Sequence, residues 1–191
     1  MVNGEAGHSI ISPHGGYLGL RSYQMAQIVY DGIVVFCDHF IDRRSRTHDQ
    51  MVQAARSGKQ NIAEGSMASG TSKQTELKLV GVARASLEEL LLDLHDFLRQ
   101  KGFSLWKKDD ARAMEIRALA DGSPRAYTTY RAYFESSGPE IAANAAICLI
   151  HQANYLLDRQ LASLEKKFLA EGGFTERLYR KRSLQRRRLK E

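Results

Sequence analysis

Three histidines are the residues of this sequence most suited to metal chemistry, because imidazole is a common ligand of transition metals. They fall in apolar, helix-forming stretches: His39, His95 and His151. Asp93 and Asp96 flank the second of them. A di-metal centre inside a helical bundle uses Glu-x-x-His pairs, and none of the three histidines has a glutamate three positions before it. We interpret them as polar edges of a core and predict no metal and no cofactor.

A Ser-Gly-Lys segment at residues 57–59 contains residue types found in nucleophile turns and phosphate loops. A nucleophile elbow needs a strand-to-helix turn, and a phosphate loop needs a preceding strand and an upstream glycine. The segment instead lies within a predicted helix and lacks that glycine. Cys37 and Cys148 have no CxxC partner, so we predict two reduced core thiols. We therefore predict that the protein is not an enzyme.

The C-terminal segment carries most of the positive charge of the chain, whose formal net charge is +6 over 191 residues. From position 177 onward, six arginines and two lysines face Glu191 alone, so this segment is +7 and the rest is −1. The basic residues are Arg177, Arg180, Lys181, Arg182, Arg186, Arg187, Arg188 and Lys190. Guanidinium groups match phosphate oxygens and stack on bases. We predict that this segment binds RNA or another nucleic acid.

Other interpretations of the basic segment remain open. A run of like charge is often only solvated, and it can also dock an acidic protein. Membrane binding is disfavoured, because Tyr179, Leu184 and Leu189 are too few to insert a helix face. If the C-terminal segment does not bind nucleic acid, a second group of cations is the next candidate: Arg43, Arg44, Arg46, Arg56 and Lys59.

Apolar residues at three- and four-residue steps predict four long helices that position these groups. We expect them at about 23–43, 48–64, 72–100 and 139–170. Thr47 with Gln50, and Thr71 with Gln74, have the spacing of capping boxes. Gly65 suits the residue that ends a helix in the left-handed conformation. The second and third helices are thus predicted to form a hairpin inside a bundle.

The remaining segments surround this helical region. Residues 1–22 are expected to be an irregular arm, and residues 101–138 an insertion with two short helices. One of these helices is capped by Asp109 or Asp110, and the other follows Pro124. Glycines 172 and 173 end the last long helix, and residues 171–191 form the basic suffix. The alanine-rich start of that helix predicts burial against the insertion or against a second subunit.

The hairpin also resembles a known family. Residues 61–65, NIAEG, together with the matching positions Ser72, Glu76, Ala83, Ser86, Leu87 and Glu89, are similar to the 23S rRNA intervening-sequence proteins. That family includes the accessory variability determinant proteins of diversity-generating retroelements. The two ends of the chain resemble its longer suffix branch. The resemblance implies an all-α, antiparallel four-helix bundle over residues 23–170 with a helical insertion and a basic tail. It also implies assembly into rings, typically of five.

The function predicted from these features is a non-enzymatic homo-oligomeric scaffold, most simply a pentamer, that binds RNA. The resemblance implies a reverse transcriptase as a further partner. The alternative is a structural homo-oligomer whose basic tail docks an acidic protein. No signal-peptide pattern and no apolar stretch of the ~20 residues that a membrane span needs occur in the sequence, so we expect a cytoplasmic protein without membrane contact.

Overall fold

The computed structural model describes residue 11, residues 13–120, residue 122 and residues 126–189, and the regular secondary structure of this part of the chain consists of helices without a strand. The α-helices are α1 (Arg21–Phe40), α2 (Arg46–Ala68), α3 (Lys73–Lys101), α4 (Ala111–Leu119), α5 (Arg131–Glu135), α6 (Pro139–Glu171) and α7 (Phe174–Arg188). Short 3-10 helices span Tyr17–Gly19 and Tyr127–Thr129. The predicted all-α class is therefore confirmed.

The four long helices contact one another in a closed cycle, in which α1 and α3 each pack against both α2 and α6. Their apolar stripes meet in one core, where residues such as Phe36, Ile62, Leu87 and Ile150 are fully buried. At one end, Ser22 Oγ donates a hydrogen bond of 2.6 Å to Gln160 Oε1. At the other end, the rings of Phe36 and Phe97 meet edge to face at 5.1 Å.

Small residues allow α2 to approach α3 closely. A Cβ at Gly58 would lie 2.7 Å from Leu87 Cδ2, and a Cβ at Gly65 would lie 3.3 Å from the Glu76 carbonyl oxygen. The hydroxyls of Ser57 and Ser86 are 2.9 Å apart across the same contact. The two helix backbones therefore touch where a larger side chain would separate them.

The helix ends correct several local predictions. Ser45, and not Thr47, caps α2 by accepting from the Thr47 amide, because Ser45 directly precedes the first helical residue, Arg46. Ser72, and not Thr71, caps α3. Gly65 does not end α2, which continues to Ala68 because the packing against α3 holds this turn in the helix.

Other predicted ends agree with the structure. Asp110 caps α4 by accepting from the Arg112 amide. Gly172, with φ +73°, ends α6. Helix α3 was predicted to end near residue 100, and it ends at Lys101, where Gly102 follows in the left-handed conformation.

The described part of the N-terminal arm contains the 3-10 helix Tyr17–Gly19 and contacts α2. Residues 1–10 and 12 lie outside the described residues, as does Pro124. The Gly15 amide donates to the Ser66 carbonyl at 3.1 Å, which attaches the arm to α2. Helix α1 begins at Arg21, two residues inside the predicted arm.

The insertion covers part of the alanine-rich surface of α6. Helices α4 and α5 both pack on α6, and Ala142, Ala143, Ala145 and Ala146 are at most 1% exposed. The sequence left open whether the insertion or a second subunit buries the start of α6. A single chain is sufficient to bury it. Across the described residues, no helix combines the length and the apolar character needed to cross a membrane.

Gly58→Leu should lower the free energy of unfolding by about 1–3 kcal/mol through overpacking against the fully buried Leu87. Gly81→Leu is the matched control, since a Cβ there would meet no atom within 4 Å and leucine favours a helix more than glycine does. Chemical denaturation of both variants measures the difference. Equal stability of the two variants would show that the α2–α3 contact is looser than described.

Candidate nucleic-acid interface

The basic suffix folds as helix α7, which follows α6 after a break at two glycines. None of the α7 side chains that the structure describes is buried. The helix contains all of the C-terminal candidate cations except Lys190, which lies outside the described residues. Seven cations and one acid, Glu176, occupy its fifteen positions. The predicted interface is therefore an ordered helix with a dense positive charge.

The cations near the start of α7 are partly engaged within the protein. Arg180 Nη2 donates to the Glu171 carbonyl at 3.3 Å and lies 3.8 Å from Glu176 Oε2. Arg180 thus helps to satisfy the last carbonyls of α6, which have no partner within their own helix. Arg177 and Lys181 are half-buried beside this junction. These three residues have less freedom to bind a ligand than those farther along.

The outer part of α7 presents an aromatic ring among arginines. Arg182, Arg186 and Arg187 are exposed, and the Tyr179 side chain is 73% exposed. Residues three and four apart share one side of a helix, so Tyr179, Arg182 and Arg186 line a single face. A ring for base stacking beside guanidinium groups for phosphate is the combination used to bind single-stranded nucleic acid. We name this set of residues the α7 basic face.

The second group of candidate cations is dispersed. Arg43 and Arg44 lie in the turn between α1 and α2, where Arg43 pairs with Asp38 at 3.2 Å. Arg46 is the first residue of α2, and Arg56 is exposed farther along the same helix. The Lys59 ammonium lies 4.2 Å from the centroid of the Tyr30 ring, so it is held against α1.

The structure does not bring the two groups together. The hydrogen bond between Ser22 and Gln160 places the start of α1 beside α6. From there α1 extends for about 27 Å, at ~1.5 Å per residue, to the α1–α2 turn. Trp106 and Asn144 meet near the start of α6, at the end where α3 also terminates. Helix α7 follows the opposite end of α6, so it lies far from Arg43, Arg44 and Arg46, while Arg56 and Lys59 lie along α2 between the two ends.

A cleft that the sequence did not predict lies between α1, α3, α4 and α6, with a volume of about 780 Å³. His95 and His151 both line it, whereas the His39 ring packs against Phe40. Desolvation, and then the nearby His95, lowers the pKa of His151. Its residues come from five separate segments, so no local motif could have indicated it.

Neither a metal-binding arrangement of side chains nor a known relative assigns a function to this protein. Among the described residues, no three His, Cys, Asp or Glu side chains form a group that could hold a metal ion. Comparisons with protein-family models, with curated proteins and with solved structures found no match to this chain. The resemblance to the intervening-sequence family stays a prediction.

The two free cysteines should differ in reactivity, since the thiolate is the reactive form. Cys37 is 0% exposed, and desolvation raises its pKa to about 12. Cys148 is half-buried at the cleft, where desolvation raises its pKa and Arg117 opposes the rise. We expect slow iodoacetamide labelling of the native protein at Cys148 alone. Mass spectrometry of Cys37→Ser and Cys148→Ser variants tests this, and labelling of native Cys148→Ser at the wild-type rate would contradict it.

Proposed function

We propose that this protein is a non-enzymatic, homo-oligomeric scaffold of the cytoplasm that binds RNA through α7. The observation that carries the proposal is the α7 basic face, where the exposed Tyr179 ring lies beside Arg182 and Arg186. A structural role alone does not account for this combination, because none of the described α7 side chains is buried. The remainder of the chain serves as the rigid support of this helix.

The support is best interpreted as an antiparallel four-helix bundle. Along α3 and α6, Arg84 contacts Asp158 at 2.5 Å and Asn154 donates to Glu88 at 3.0 Å, so residue numbers rise in one helix as they fall in the other. The contact between α2 and α3 has the same opposite order, since Gly58 meets Leu87 and Gly65 meets Glu76. Both pairs favour antiparallel neighbours.

Binding to RNA would be driven by phosphate contacts and adapted to single strands by stacking. Each phosphate that a cation neutralises releases condensed counterions, which gives affinity without sequence preference. Arginine is favoured over lysine for such contacts, because its planar fork binds two phosphate oxygens at once and stacks on bases. The α7 cations that the structure describes as exposed are all arginines: Arg180, Arg182, Arg186 and Arg187.

Assembly would raise the affinity further. A ring of subunits, as the family resemblance implies, presents several copies of α7 to one RNA at high effective concentration. Leu169 on the last turns of α6 is 77% exposed and is a candidate contact with a neighbouring subunit or with a reverse transcriptase. In this proposal the reverse transcriptase and its RNA are bound by the same oligomer, most simply a pentamer.

The alternative function, docking of an acidic protein by a structural homo-oligomer, has one observation in its favour. Leu184 of α7 is 59% exposed, and Leu189, which directly follows the helix, is 81% exposed. Apolar side chains next to cations suit a protein surface that offers both carboxylates and an apolar groove. The two proposals differ in whether the Tyr179 ring stacks on bases.

Replacing Arg182, Arg186 and Arg187 by alanine should weaken binding to single-stranded RNA and reduce its dependence on salt. With about four contacts the log–log slope of affinity against salt is near −3, using ~0.7 per contact. Loss of three contacts would bring the slope close to −1 by the same rule. Fluorescence anisotropy with a labelled RNA over a salt series measures both quantities.

The matched control replaces Arg43, Arg44 and Arg46, three arginines at the opposite end of the long helices, and should leave the slope unchanged. Tyr179→Ala should reduce affinity by about 1–3 kcal/mol without changing the slope. If the control variant shows the larger loss, the interface lies at the α1–α2 turn. If no form binds RNA, the acidic-protein alternative is favoured.

The full chain should elute as a stable homo-oligomer of several times 21.5 kDa. Size exclusion with light scattering measures the mass, and Leu169→Glu should reduce it by placing a charge in the expected subunit contact. Glu165→Gln on the same helix, at an exposed position, controls for a change of charge alone. A monomer at micromolar concentration would refute the assembly.

A further inference from the structure

We propose that the cleft between α1, α3, α4 and α6 binds a nucleotide, with its phosphate at a cationic rim and its base at the Gln152 amide. This site is separate from the α7 basic face and does not depend on it. The same chemistry is offered by a free nucleotide and by the terminal nucleotide of an RNA strand. Four properties of the cleft support the proposal: its charge, its unpaired polar atoms, its apolar walls and its rigid loop.

The residues that line the cleft carry a positive net charge. Its lining includes five permanent cations: Arg21, Lys107, Lys108, Arg117 and Arg159. No aspartate or glutamate is among the described residues that line it. Converging arginine and lysine side chains without carboxylates are suited to a phosphate group. The ligand is therefore expected to be an anion.

The interior of the cleft contains polar atoms that need a partner. Both amide atoms of Gln152, the His95 Nε2 atom and the Trp106 Nε1 atom are buried without a hydrogen bond among the described residues. Each buried polar atom without a partner costs free energy, and all four atoms belong to side chains that line this cleft, so they favour a ligand or water there. A glutamine amide pairs with an adjacent donor and acceptor, as on the N6/N7 edge of adenine.

The walls and size of the cleft match a heterocycle. Met25, Ala113 and Ile147 are buried apolar residues of the lining, and Trp106 is 8% exposed. The volume of about 780 Å³ is within the ~300–1,000 Å³ common for small-molecule sites. An aliphatic anion such as a fatty acid would suit the walls and the rim, but it would leave the Gln152 amide without a partner. A nucleotide satisfies all three features.

The loop that carries Lys107 and Lys108 is held in place before a ligand binds. The Trp106 amide donates to Asn144 Oδ1 at 2.8 Å, and Asn144 Nδ2 donates to the Ser104 carbonyl at 2.9 Å. Arg117 Nη2 donates to the Lys108 carbonyl. The guanidinium of Arg112 covers the Trp106 ring at 4.4 Å from its centroid. Such preorganisation lowers the entropic cost of binding.

The test uses the fluorescence of Trp106, because it is the single tryptophan of the chain and lines the cleft. The full-length protein is titrated with AMP, with inorganic phosphate, with palmitate and with a short oligoadenylate. We expect a saturable change with AMP and a weaker response to phosphate alone. Tighter competition by the oligoadenylate identifies an RNA terminus as the source, and tighter binding of AMP identifies the free nucleotide.

Two variants separate the rim from the base site. Lys107→Gln/Lys108→Gln should weaken AMP binding about tenfold or more, because a hydrogen bond to a charged group contributes roughly 1.5–3 kcal/mol. The matched control is Lys166→Gln/Lys167→Gln, an adjacent exposed lysine pair of α6 outside the cleft. Gln152→Leu should reduce affinity for AMP at least about fivefold and leave that for phosphate unchanged.

Bound AMP should also slow iodoacetamide labelling of Cys148, which lines the same cleft. The proposal is overturned if AMP changes neither Trp106 fluorescence nor this labelling. It is also overturned if the two lysine-pair variants behave alike, or if palmitate saturates the cleft while AMP does not. Replacing Arg182, Arg186 and Arg187 leaves the AMP titration unchanged, so failure of the RNA proposal and failure of this one are distinguishable.

Discussion

The enclosure of α6 by four other helices is the constraint on which the rest of the structure depends. Helices α1 and α3 cover two sides of α6, and α4 and α5 pack against it from the insertion. Its first part is rich in alanine because the neighbouring helices approach closely there. Beyond Gln160 the helix continues for eleven residues to its end, so one element carries both a wall of the cleft and the support of α7. The two candidate sites are therefore positioned by the same helix.

The helical elements could be predicted from the sequence because the information for them is local. Apolar spacing identified each long helix, Gly172 correctly marked the end of α6, and Asp110 correctly marked the start of the short helix α4. The capping errors arose where two residues close in sequence can fill the same role, as Ser45 and Thr47 can for the cap of α2. Gly65 was misinterpreted for another reason, since its function is contact with α3, and a contact between helices cannot be identified from one helix alone.

The two candidate sites also differ in whether the sequence alone could reveal them. The cations of α7 are contiguous in sequence, so their concentration on one element was visible before the structure. The cleft is assembled from Arg21, the 105–108 loop, α4 and α6, which become neighbours only after folding. His95 and His151 were noticed as possible metal ligands, yet what they share in the structure is a wall of this cleft. The net charge summed over the residues before α7 had indicated an almost neutral bundle. Such a sum does not reveal the local excess of cations around the cleft.

The turn from α6 into α7 depends on the conformation of one residue. Gly172 has φ +73°, which favours glycine, and a Cβ at this position would collide with the Glu176 carboxylate. A side chain at position 172 would strain the turn into α7 while leaving every charge of that helix in place. The charge of α7 and the way it leaves α6 are therefore set by different residues.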